Sequence, residues 1–158
     1  AGAFGTRMLA FDLNEDHEFA KQWNVQYVPL DELMTKADVV SLHVPSNEQT
    51  NGLIDDRRLR LMKQEAYLVN TSRPAVVEKQ ALVNVLEAKG IAGAAIDVHD
   101  PMPCRPDDPL VLLDNVIATP WSAYNTQEAV ANMCITAASE VVTVLHGGEP
   151  KYPVNKVG

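Results

Sequence analysis

The sequence predicts an α/β protein built on a doubly wound parallel sheet, and two patterns carry that expectation. Short apolar runs recur along the chain, each closed by a turn residue. Amphipathic stretches of helical period lie between them. The runs are continuous rather than alternating, as in strands covered on both faces of a parallel sheet. Strand–helix–strand alternation with short connections is how such a sheet is wound.

Residues 8–11 (MLAF) form the first run and lead into Asp12. Gly2 and Gly5 ahead of it read as the end of a preceding helix. A short helix is expected over residues 31–36, and residues 39–44 form the second run, closed by Pro45. Asp55 is placed to cap a helix reaching Met62. Residues 67–69 are the third run, ending at Asn70-Thr71. Residues 78–89 put Ala81, Leu82, Val85 and Leu86 on one helical face, and Gly90 suits the left-handed position after the helix. The fourth run, 91–98, is rich in small residues, and the fifth, 116–119, is closed by Pro120. Between them, residues 101–109 carry four prolines and read as a surface excursion. The last helix is expected to start at Asn125, with Glu128 completing a capping box, and to stop at Gly147-Gly148.

A chain of 158 residues with 46% hydrophobic and 22% charged residues is long enough for one packed core. Its net charge of −8, without a basic stripe, would repel phosphate backbones, so direct nucleic-acid binding is not expected. The one dense basic cluster, Arg57, Arg58 and Arg60, sits beside Asp55 and Asp56 and reads as a solvated face. Cys104 and Cys134 lack metal-ligand or disulfide spacing. No metal is therefore expected, and a reducing cytoplasm is. No apolar run is read as approaching membrane-spanning length, so no membrane partner is expected.

Asp12 is the first candidate for chemistry. An acid at the end of the second strand of a dinucleotide-binding unit bonds the adenosine ribose hydroxyls. An aspartate opening a loop or capping the next helix is the plainer alternative, and no GxGxxG precedes it in this sequence. Four further segments then appear in order: SLHVP at 41–45, YLVNTSR at 67–73, AGAAIDV at 92–98 and NVIATP at 115–120. In this order and spacing the chain resembles the D-isomer-specific 2-hydroxyacid dehydrogenases over nearly its whole length. Gly52-Leu53-Ile54, Leu61-Met62-Lys63, Ala81-Leu82 and Gly90-Ile91-Ala92-Gly93 extend the likeness. Val98-His99 and residues 122–129 resemble the branch that contains the C-terminal-binding corepressors.

The resemblance implies a Rossmann-like sheet, lacking its first strand and Gly-rich loop in this chain, with NAD as cofactor. It implies Asp12 as the ribose-binding acid, and Val44 and Pro45 as backbone lining the adenosine side. Thr71 is implied to pass the nicotinamide, and Asp97 to hold its carboxamide. Arg73 is implied as the catalytic arginine that clamps the substrate carboxylate, a task suited to a planar two-pronged cation. A surface salt-bridging arginine is its plainer reading. Pro74 stands where a glycine is usual in the family.

Two positions depart from the family. The glutamate expected five residues past Asp97 is Met102, and the histidine expected after Thr119-Pro120 is Trp121. A histidine that passes the substrate proton and a glutamate that fixes its tautomer act as a unit. His99 is the nearest substitute, although a structural histidine suits its position better. Residues 1–146 are accordingly expected to be a partial dinucleotide-binding domain. Residues 147–158 are expected to return toward a substrate domain absent from this chain. The function implied is NAD-dependent oxidation of 2-hydroxy acids or reduction of 2-keto acids, by a cytoplasmic homodimer with a degenerate relay. The alternative is a catalytically weak, NAD-sensing protein-interaction module.

Overall fold

The computed structural model describes residues 2–154. By internal contacts the chain forms two compact units, Ala1–Trp121 and Ser122–Gly158. The first holds six strands: β1 (Met8–Ala10), β2 (Val25–Tyr27), β3 (Val39–Leu42), β4 (Tyr67–Asn70), β5 (Gly93–Ile96) and β6 (Val116–Ala118). Its helices are α1 (His17–Trp23), α2 (Leu30–Lys36), α3 (Asp56–Leu59) and α4 (Lys79–Glu87). All pairings between strands are parallel. β1 and β2 make one sheet, and β3-β4-β5-β6 make another in sequence order. The expected sheet is thus present in two separate pieces.

The order β3-β4-β5-β6 advances in one direction, and right-handed crossovers then place their connections on one face. α3 and α4 therefore share a face and pack on each other. Val40, Leu42, Leu68, Ala94 and Ile96 lie on that face and form the core with Leu59, Leu82 and Leu86. Opposite-facing Val39, Tyr67 and Ile117 are more than half exposed. The expectation of strands covered on both faces holds for one face of this sheet. Covering the other takes a right-handed crossover that advances in the opposite direction along the sheet.

Most expected elements appear, with corrections at their ends. β3 stops at Leu42, two residues before the run ends, and α3 stops at Leu59 rather than Met62. Asp55 caps α3 as expected, accepting from the Arg58 N–H. The basic cluster on α3 is ion-paired: Arg57 to Asp31, Arg58 to Asp31 and Asp55, and Arg60 to Asp56. Past α4 it is Lys89, not Gly90, that takes the left-handed conformation. Gly90 is required for a different reason: a Cβ there would lie 2.7 Å from Val85 Cγ2. The proline-rich excursion is only partly a surface feature, because Asp108 within it is buried.

The second unit contains α5 (Gln127–Leu145). Its cap is Thr126, whose hydroxyl accepts from the Ala129 N–H, rather than Asn125. Gly147, at φ +79°, ends it as expected. Glu140 then accepts from the Lys151 and Tyr152 N–H groups of the following segment. Residues 155–158 of the expected returning segment lie outside the described residues. Contrary to the sequence reading, α5 is long and apolar enough to cross a membrane by length and composition. Alanine, valine and cysteine raise its average, while Glu128, Asn132, Ser139 and Glu140 interrupt it.

Candidate active site at the carboxyl ends of the strands

Parallel strands present their carboxyl ends on one edge, where open α/β sheets bind ligands. Val44 and Pro45 follow β3, Thr71 and Arg73 follow β4, and Asp97 follows β5. The four-stranded sheet therefore brings five expected site residues to a single edge. Asn70 pairs with Ile96 in register, so Thr71 and Asp97 leave adjacent strands side by side. Asp12 follows β1 in the separate two-stranded sheet. It is exposed, and its Oδ1 accepts the Asn14 N–H at 2.8 Å, which orients the carboxylate at the surface.

After β3 the chain is shaped by its own side chains. Thr50 donates its hydroxyl to the Pro45 carbonyl at 2.5 Å, and Asn47 Oδ1 accepts from the N–H groups of Gln49 and Thr50. Val44 is half-buried and Pro45 exposed, which leaves this backbone accessible.

The turn after β4 is bonded through a buried side chain. Asn70 is 2% exposed. Its Oδ1 accepts from both the N–H and the hydroxyl of Ser72 at 3.0 Å, and its Nδ2 donates to the Arg73 carbonyl at 3.0 Å. Arg73 Nη1 donates to the Ser72 carbonyl at 2.7 Å. The remaining side chain is exposed, and among the described residues Arg73 forms no ion pair with a carboxylate. The arginines at 57, 58, 60 and 105 all do. The salt-bridging reading of Arg73 finds no partner here.

Asp97 is 3% exposed, and its Oδ1 accepts the Thr119 hydroxyl at 2.5 Å. Thr119 was not singled out from sequence, although its place at the end of the last run was the available signal. Its carbonyl accepts from His99 Nε2 at 3.0 Å, since a carbonyl can only accept. His99 is buried and thereby committed to holding the end of β6.

The two altered positions look different. Met102 is 38% exposed and Trp121 46% exposed. The Trp121 N–H donates to the carbonyls of Asp97 and Thr119, so this residue starts beside the acid. Its φ of +53° is costly for a bulky residue. Behind the edge, on the α4 side, a cavity of about 170 Å³ is lined by Asn70, Pro74, Lys79, His99, Asp108 and Leu110. Lys79 bonds the buried Asp108 there at 2.5 Å.

The profile of the family described as "D-isomer specific 2-hydroxyacid dehydrogenase, NAD binding domain" matches residues 1–123. A glyoxylate reductase of Korarchaeum cryptofilum is 41% identical over 99% of this chain and 47% of its own length. Among solved structures, a D-lactate dehydrogenase from Sporolactobacillus superposes with TM-score 0.87 at 37% identity, covering 99% of this chain and 50% of that one. An NAD-complexed D-isomer specific 2-hydroxyacid dehydrogenase from Lactobacillus delbrueckii gives 0.86 at 32% identity, covering 97% and 50%. This chain spans about half the length of the relatives it matches.

Proposed function

Since this chain belongs to the D-isomer-specific 2-hydroxyacid dehydrogenase family through its NAD-binding domain, we propose that it is the cofactor half of an NAD-dependent oxidoreductase. The whole protein acts on the CH–OH group of 2-hydroxy acids and, in reverse, reduces 2-keto acids. The observation that carries this reading is an Arg73 with no carboxylate partner among the described residues, next to a buried, hydroxyl-braced Asp97 at an adjacent strand end.

The donor set fits a nicotinamide dinucleotide. An acceptor-only carboxylate at Asp97 suits a carboxamide N–H, and the surface carboxylate of Asp12 suits a ribose diol. Val44, Pro45 and Thr71 supply accessible chain between them. When bound, the cofactor supplies or accepts the hydride. Arg73 meets the substrate carboxylate and polarises the neighbouring carbonyl, aligning the acid before transfer. Reduction also consumes a proton at the carbonyl oxygen, and the thioether of Met102 and the indole of Trp121 deliver none at neutral pH. With His99 bonded to Thr119, the usual relay is degenerate and turnover is slow. The proposal includes a cytoplasmic location, supported by two free cysteines, and a homodimer, for sedimentation to test.

A second reading is favoured by the same two residues. Binding groups without a proton donor suit a module that senses NAD(H) and passes its state to a protein partner. Calorimetric titration of the whole protein with NADH and NADPH, followed by NADH oxidation with glyoxylate and pyruvate, tests both readings. NADH binding with turnover well below a typical 10 per second, on the order of the enzyme median, is the expected result. Binding with no turnover at all favours the sensing module, and no NADH binding overturns both.

A further inference from the structure

We propose that Asn70 is the positioning residue that aims Arg73 at the substrate carboxylate and fixes it relative to Asp97. The proposal rests on the reading of Arg73 as the carboxylate clamp. Asn70 stands on the core-facing side of β4, in register with Leu42 and Ile96 and two residues after Leu68. An apolar side chain would be the economical choice there, because a buried amide without partners is costly. Asn70 avoids that cost only by bonding the turn that follows it. Both lone pairs of Oδ1 are occupied by Ser72, and Nδ2 is given to the Arg73 carbonyl. That carbonyl also accepts from the Val76 N–H at 3.3 Å, so the main chain of Arg73 is held from two sides.

The guanidinium is reached through the same side chain. Ser72 is clasped by Asn70 through its N–H and hydroxyl, and the Ser72 carbonyl in turn takes Arg73 Nη1. The main chain of Asn70 completes the joint, since its carbonyl accepts the Asp97 N–H at 3.0 Å. One buried residue thus connects the cation proposed for the substrate with the acid proposed for the cofactor. A misplacement of about 1 Å at such a site costs on the order of a hundredfold in rate.

The test is calorimetric binding of oxamate, an unreactive isostere of a 2-keto acid, to the NADH-loaded whole protein. Asn70→Ala is expected to weaken oxamate tenfold or more, and Ser72→Ala to weaken it by a smaller factor. Ser72→Thr, which keeps the hydroxyl, is expected to retain parent affinity. NADH affinity in each variant should stay within about threefold of the parent. Should Asn70→Ala fail to fold, the two Ser72 variants decide. Arg73→Ala separates the proposal from its premise. Parent-like oxamate binding in Arg73→Ala, or none in the parent, overturns the clamp reading and the proposal with it. Loss of oxamate in Arg73→Ala, with parent-like affinity in Asn70→Ala and Ser72→Ala, overturns the positioning role alone. Equal weakening of NADH and oxamate also overturns it, because a general structural defect acts on both.

Discussion

The turn after β4 and the segment after β5 start from adjacent strand ends, yet they are built in opposite ways. Residues 70–73 close on themselves through a buried asparagine, a serine hydroxyl and an arginine bonded to its own turn. Past Asp97, the positions that should carry a glutamate and a histidine carry half-exposed Met102 and Trp121. The first region holds the groups proposed to bind and orient an acid. The second, on the same proposed reading, lacks those that would move a proton. If that reading holds, binding and proton transfer are separable by position, because each depends on its own strand-end segment and the sheet register connects them.

Restoring the second region is the strongest way to break this comparison. Trp121→His with Met102→Glu is expected to raise turnover of glyoxylate by about a hundredfold to ten-thousandfold, the usual worth of a positioned general acid. Trp121→His alone should give less, because no carboxylate then fixes the tautomer of the new imidazole. NADH oxidation by parent, single and double variants reads this directly. A parent already at ordinary rates would mean that another acid protonates the alkoxide.

A smaller effect sharpens the binding side. If Asp12 binds the adenosine ribose as proposed, its carboxylate repels a 2′-phosphate, so the whole protein should prefer NADH to NADPH. Asp12→Asn keeps the shape and removes the charge. The preference should narrow about tenfold, the scale of repulsion between two such anions near 4 Å in a wet site. Titration of both cofactors into parent and variant measures it, and a parent with equal affinities contradicts the assignment of Asp12.

How much of this was legible in the sequence depends on how local each feature is. Strands β1, β3, β4, β5 and β6 announced themselves as apolar runs, whereas β2, three residues with Gln26 facing out, left no run to see. The places of Thr71, Arg73 and Asp97 just past strand ends were legible through the segments around them. Thr119 was not, because its partner Asp97 lies 22 residues away and the bond exists only once β5 and β6 pair. Asn70 read merely as the end of a run, since nothing in its type says that it faces the core. The Gly90 error has the same source. Sequence shows that glycine is wanted after α4, but only packing shows that Val85 excludes a side chain there while Lys89 makes the turn.

The smallest expected effect concerns what holds the backbone of the second region in place. Residues 99–110 are pinned to the start of α4 by Lys79, which donates to the Asp100 carbonyl and to the buried carboxylate of Asp108. Burial pushes the Asp108 carboxyl up, but the Lys79 hydrogen bond, the Leu110 N–H and the Lys79 charge outweigh it and hold it below its ordinary value. A carboxylate lowered on folding stabilises the fold above its unfolded value of about 3.9, and loses that contribution as pH falls through the lower folded value. Lys79→Met should therefore cost stability at pH 7, about 1 kcal/mol for a pair whose lysine is partly exposed, or roughly 2–4 °C in melting temperature. The difference from the parent should shrink toward zero as the pH falls through and below the lowered folded value, where Asp108 is protonated in both proteins. A deficit that stays constant down to that pH would show that Lys79 acts by packing its stem rather than by its charge. Melting curves of both proteins across that range decide the matter. If the anchor is electrostatic, the segment bearing Met102 remains held at neutral pH, and a glutamate introduced there starts from an ordered backbone.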